Sequence, residues 1–235
     1  MSFTHAIRHV ASSARSFGPG AALHELKQRV YNRVVPLQVL RGMTAELTHV
    51  PAALFDAGDY RGRFATRAEV LACATPDYEM TPDFARDALD RGDRCFAMFH
   101  GKRMASLGWY ARQPTHISRG LVLHFDPAWV YMYKGFTHPD HRGKRLHGIG
   151  MSLALREHTE RGARGLISYV RSTNFASLRS VERMGYRIFG DIYLARVMGV
   201  VKTWTSPGCA DHGFRLESEA AQSPLATWTA VEAIS

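Results

Sequence analysis

Two runs dense in apolar residues, 94–99 and 104–110, flank the polar His100-Gly101-Lys102-Arg103, and this pattern predicts a β-hairpin. Residues 129–137 are apolar on both alternating faces, which predicts a central strand buried on each side. Gly135 inside that run signals a bulge. Residues 166–170 predict another strand, and residues 43–50 alternate well enough for a first one. The long connection 113–129 holds one short strand at 121–125, and a loop of that length is often functional. Residues 186–189 and 193–204 predict two strands reversing at Gly190-Asp191.

Elsewhere the apolar period becomes helical. Residues 66–74 and 81–91 read as helices, the second supported by Pro82 in its first turn and Gly92 beyond its end. The loop between them, Asp77-Tyr78-Glu79, reads as a solvated turn. A helix at 148–161 ends at Gly162. Asn174 is a good N-cap for a helix through Met184, with Phe175, Leu178 and Val181 in one stripe and Gly185 as its stop. Residues 21–35 place Leu23, Leu26, Val30 and Val34 at helical spacing, with Lys27, Arg29 and Arg33 between them. Such a basic amphipathic helix either packs on the main domain or docks on an anionic membrane surface or a carrier protein.

Length and composition bound the picture. A chain of 235 residues, 46% hydrophobic, suits one domain at 43–204 between a basic extension, 1–42, and a C-terminal tail, 205–235, with a short docked piece. No apolar run reaches a membrane span. Cys73, Cys95 and Cys209 form no metal or redox motif, which suits a reducing cytoplasm. The net charge is +9, and residues 1–42 hold six Lys or Arg against Glu25 alone. That balance fits acidic partners in general. Nucleic acid is disfavoured, because aromatic and basic residues do not alternate in a binding motif. Residues 1–20 lack any acid and any long apolar centre; their composition fits a disordered or weakly helical extension and overlaps that of transit peptides.

The chemistry concentrates in residues 129–150, WVYMYKGFTHPDHRGKRLHGIG. An apolar strand runs through a Pro turn and a cationic Gly-bearing loop into a helix. Helix N-termini present open N–H groups and the positive end of the dipole, so this junction is an anion site, and Arg142, Lys144 and Arg145 add charge to it. A pyrophosphate is the natural guest. His138, His141 and His147 lack companions at ligand spacing, so no metal is expected.

The run Thr137-His138-Pro139-Asp140-His141-Arg142-Gly143 resembles the acyl-CoA loop of the GCN5-related N-acetyltransferase (GNAT) superfamily, V-x-P-x-x-R-G-x-G-x-G/A. Asn174, Ser177 and Gly185-Tyr186 resemble that family's downstream N-x-x-A/S…G-F/Y element. In the register set by Pro139, the second and third glycines fall on Arg145 and His147. The alternative register, Arg145-Leu146-His147-Gly148-Ile149-Gly150, shortens the following helix, so the first is preferred.

The resemblance implies an α+β fold, a GNAT-like acyl-CoA N-acyltransferase with a mixed, mostly antiparallel sheet flanked by helices. It implies cofactor contacts from the main chain of Phe136 and Thr137, from Arg142, Gly143, Lys144, Arg145, Leu146, His147 and Gly148, and from Asn174 and Ser177. It places the acceptor beside Asp77-Tyr78-Glu79. The family's tyrosine acid falls on Val181, which leaves Ser180 or solvent to protonate the departing thiolate. A base is sought among Tyr133 and His138. The implied reaction moves an acetyl or other acyl group from acyl-CoA to a primary amine, without metal. Two alternatives stay open: a long-chain N-acyltransferase fed by acyl carrier protein through residues 1–42, and a non-catalytic CoA sensor or nucleic-acid-binding module.

Overall fold

The computed structural model describes residue 20 and residues 37–118, 120–197 and 200–218. The basic helix expected at 21–35 lies outside the described residues. Strand β1 is Leu37–Ala45 and β2 is Arg61–Phe64; helices α1, Arg67–Ala72, and α2, Pro82–Asp90, follow. The expected hairpin forms as β3, Arg94–His100, and β4, Arg103–Ala111. A second, small hairpin joins β5, Thr115–Ser118, to β6, Leu121–His124. Then come β7, Trp129–Thr137, α3, Leu146–Glu160, β8, Gly165–Arg171, and α4, Phe175–Arg183. The chain closes with β9, Arg187–Val197, β10, Val200–Thr205, and β11, Arg215–Ser218.

Eight strands form one sheet in the order β10-β9-β1-β8-β7-β4-β3-β2, antiparallel throughout except for β7 beside β8. A sheet of three, β11-β6-β5, lies apart. The fold is α+β, with a mixed, mostly antiparallel sheet. One face packs against α3 and α4 through Met43, Met98, Val130, Met132, Leu155 and Val181. The other face is shared. Helices α1 and α2 cover Ala97, Leu107 and Trp109, and the small sheet covers Leu40, Tyr131 and Ile192 with Phe214 between.

Several boundaries move for physical reasons. The first strand begins at Leu37, six residues before its expected start, and sits inside the sheet between β8 and β9. Gly190-Asp191 is not a turn: β9 runs through it paired to β1, and Asp191 meets Arg41 at 3.2 Å. The glycine is there for packing, because a Cβ would stand 2.7 Å from Ser206 Oγ and 2.9 Å from Cys209 Sγ. Its neighbours belong to the docked piece of the tail, the turn Pro207–His212 and β11, which pairs with β6.

Candidate functional site

Strands β7 and β8 touch only from Trp129 to Tyr131 against Gly165 to Ile167, and then separate. Ser168 Oγ donates to the Met132 carbonyl at 2.7 Å just where the ladder stops. Beyond it, one edge of β7 has no strand partner among the described residues. On its other edge β7 pairs with β4, and the register jumps at Tyr133, opposite the Trp109/Tyr110 step. The bulge is therefore at Tyr133 and not at Gly135. Gly135 answers a different need: a Cβ there would lie 2.4 Å from His147 Cε1, so the glycine lets the α3 imidazole press against the strand.

The phase of that ladder decides which peptide groups face the gap. His138 N–H donates to the Ala105 carbonyl at 2.9 Å, which makes the flanking pair Ser106–Thr137 a non-hydrogen-bonded one. Thr137 and Gly135 thus turn their N–H and C=O groups away from β4, toward the separated side. Phe136, expected to offer main-chain contacts, turns its own toward β4, where its carbonyl also accepts from Ser106 Oγ at 2.9 Å. Alternation along the strand instead leaves Gly135 with its peptide groups toward the gap.

Past β7 the chain makes a single turn at Pro139–His141, and Gly143 and Arg145 take left-handed backbone, φ 78° and φ 57°. Helix α3 then starts at Leu146, two residues before its expected start, with the Ile149 N–H on the Arg145 carbonyl at 3.0 Å. The N–H groups of residues 146–148 precede the first intrahelical acceptor, and the side chain of the N-cap residue, Arg145, does not cap them. Arg145 occupies a left-handed position natural to glycine.

The loop cations are held differently. Arg142 is exposed, with Nε on the Thr137 carbonyl at 3.2 Å. Lys144 Nζ donates to Tyr60 Oη at 2.9 Å, and the same hydroxyl lies 3.0 Å from His141 Nδ1. Burial lowers the His141 pKa, with Lys144 and Arg103 adding to the effect. Sequence reading missed Tyr60 because it precedes β2, far from the loop in the chain. His147 is not a loop ligand through its ring: burial lowers its pKa, and Nε2 is enclosed without a partner among the described residues. Only its N–H remains available to an anion.

The catalytic candidates fare unevenly. Tyr133 donates its hydroxyl to Asp93 Oδ2 at 2.9 Å, and Asp93 is also paired with Arg91 at 2.8 Å. Burial, and then the Asp93 charge, push this phenol far above its ordinary range. It is a packing residue beneath α2 and cannot serve as a base near neutrality. His138 stands at the end of β7, with Nε2 3.0 Å from Arg103 and its ring 5.7 Å from Tyr78. Tyr78 anchors the Asp77-Tyr78-Glu79 loop by donating to the Met104 carbonyl at 3.0 Å. Ser180 is half-buried on α4, and Val181 is core. Asn174 caps α4 by accepting from the Ser177 N–H at 3.1 Å, and its Nδ2 has no partner among the described residues. Ser177 is buried behind it. Among the described residues, no group of three or more His, Cys, Asp or Glu is arranged to hold a metal ion, and no helix is long and apolar enough to cross a membrane.

No family model matches this chain, and no curated protein does. The chain is similar to solved GNAT-family structures. One is an acetyltransferase from the GNAT family of Colwellia psychrerythraea, with 9% identity and a TM-score of 0.49 over 82% of this chain and 62% of that one. Another is a GCN5-related N-acetyltransferase from Sphaerobacter thermophilus, with 10% identity and a TM-score of 0.48 over 85% and 58%. A third is a GCN5-related N-acetyltransferase-like protein from Streptococcus suis, with 16% identity and a TM-score of 0.46 over 74% and 66%. The chain thus spans less than two thirds of each. The chemistry stands on this chain's own residues.

Proposed function

We propose that this protein is an acyl-CoA-dependent N-acyltransferase that moves an acyl group, acetyl in the simplest case, to a primary amine. One observation carries the reading: the separated strands β7 and β8 open beside a helix N-terminus ringed by Arg142, Lys144 and Arg145. The parts fit a long thioester with an anionic head. Arg142, Lys144, Arg145 and the N–H groups of 146–148 suit a diphosphate. The main chain of Gly135 and Thr137 suits an extended amide-bearing arm, as an added strand would pair.

The bound thioester supplies the activated acyl group. The chain's own residues orient it in the gap, exclude water through the apolar walls of β7 and β8, and polarise the carbonyl through strand N–H groups. With Tyr133 committed to Asp93, His138 is the titratable side chain of the original pair left at the strand end. A thiolate needs only modest protonation, since a free thiol ionises near about 8.5, so Val181 in place of an acid is compatible with turnover.

The test is thioester consumption with a panel of amines, offered acetyl-CoA and, separately, long-chain acyl carrier protein. Amine-dependent thiol release from acetyl-CoA is the expected result. Binding of CoA without turnover of any donor would instead favour a sensor. Turnover of the carrier-bound donor alone would favour the long-chain enzyme.

A further inference from the structure

At the far end of α3 from the cationic loop lies a separate cavity of about 290 Å³, lined by Gly92, Arg94, Tyr110, Arg112, His158 and Arg161. Its floor is buried: His158 is 2% exposed and Tyr110 2%. Its rim is cationic and reaches solvent, with Arg112 and Arg161 exposed and Arg94 half-buried. Three separate elements bring these residues together, so this is not one solvated helical face.

The charges are not used up internally. Arg161 is paired with Glu157 one turn back on α3. Arg94 Cζ stands 3.4 Å from the centroid of the Phe64 ring and feels the Glu157 charge, and neither it nor Arg112 makes an ion pair of its own among the described residues. The excess is thus three guanidinium groups against one carboxylate. His158 lies edge-on to Phe64, with ring centroids 5.2 Å apart, and neither of its ring nitrogens has a hydrogen-bond partner among the described residues. A buried polar group left without a partner is costly, and a ligand in the cavity would satisfy it. Complementing the negative end of α3 explains only part of this. That end carries roughly half a unit charge, which Arg161 alone meets, whereas Arg94 arrives from β3 and Arg112 from the residue after β4.

We propose that this cavity binds a compact dianion, a phosphate or paired-carboxylate group on a small molecule, held by Arg94, Arg112 and Arg161 with His158 as the buried hydrogen-bond partner. Guanidinium forks grip such oxyanions in two-point fashion. The volume sits at the small end of ligand pockets, so the molecule is of a few carbons, not a nucleotide. The site is remote from the loop at Arg142: α3 has 15 residues and is about 22 Å long. It stands independently of the acyltransferase reading.

The test is calorimetric titration of the full chain with inorganic phosphate and, separately, with succinate, in the parent and in Arg142→Ala. A saturable one-to-one isotherm for at least one anion is expected, unchanged in Arg142→Ala and in the presence of CoA. Arg112→Gln removes an exposed side chain and should fold normally; it should weaken binding about tenfold, and Arg94→Gln should act in the same direction. Phosphate strength over succinate, or the reverse, tells which head group the rim selects. The proposal is overturned if neither anion saturates, if Arg112→Gln binds as the parent does, or if Arg142→Ala or CoA removes the signal, which would assign it to the loop.

Discussion

The two ends of α3 both gather arginines, yet they are built in opposite ways. At the N-terminal end the cations sit on a left-handed loop beside open peptide N–H groups, so backbone and dipole share the attraction for an anion. At the C-terminal end the dipole opposes an anion, and side chains alone surround a buried neutral imidazole. The N-terminal end can draw on backbone donors that the C-terminal end lacks. That contrast can be broken or sharpened at each end.

The largest expected effect is at the C-terminal end. Burial, and then the charges of Arg112, Arg94 and Arg161, hold the His158 pKa down to about 3. An unfolded histidine takes its proton near about 6.5. Between those values the unfolded chain binds the extra proton, so stability falls as pH drops, by up to about 1.4 kcal/mol per unit. Above that window the effect is absent. His158→Gln should flatten the loss of denaturation free energy from pH 6.5 toward pH 4, a window set by the same pKa. His141 and His147, both lowered, leave a residual slope of the same sign. An unchanged slope in the variant would show that His158 titrates normally in the folded chain.

Next in size is the contact between β7 and the first turn of α3. Gly135→Ala sets a methyl 2.4 Å from the His147 ring, and overpacking of this kind costs about 1–3 kcal/mol. Chemical denaturation measures it, and the double variant with His147→Ala should recover most of the loss. If Gly135→Ala is neutral, His147 is not held against the strand.

The smallest effects compare the residues with positive φ that bound the helix. Arg145, at φ 57°, stores strain that Arg145→Gly should release, raising stability by up to about 1 kcal/mol. Gly162, at φ 84°, has open space around its Cα, so Gly162→Ala should cost about 1 kcal/mol from backbone strain alone. Melting temperatures that move the same way in both variants would contradict this assignment.

Local pattern made the hairpin β3–β4, the buried strand β7 and the capped helix α4 legible, because each rests on neighbours close in sequence. The glycines were harder. Gly135 and Gly190 read as a bulge and a turn, but each exists for a long-range contact, with His147 and with the Ser206–Cys209 turn. A one-dimensional pattern does not contain such contacts. The insertion of β1 between β8 and β9 is likewise a tertiary pairing without a local signature. In the site, the cationic loop was visible as a motif, whereas Tyr60, which ties down Lys144 and His141, was not. Tyr133 read as a candidate base because its partner Asp93 is 40 residues away in the chain. The C-terminal cavity left no motif at all, since its arginines come from β3, from the residue after β4 and from the end of α3.

The N-terminal end of α3 is most directly tested by calorimetric titration of CoA into the parent protein and Arg142→Ala. CoA should bind the parent at one site, and the variant should lose about 1.5–3 kcal/mol of binding free energy, the range for charge-assisted hydrogen bonds to phosphate. Arg112→Gln, at the other end, should bind CoA as the parent does. Unchanged CoA affinity in Arg142→Ala, or no CoA binding by the parent, would contradict the assignment of the loop as an acyl-CoA site.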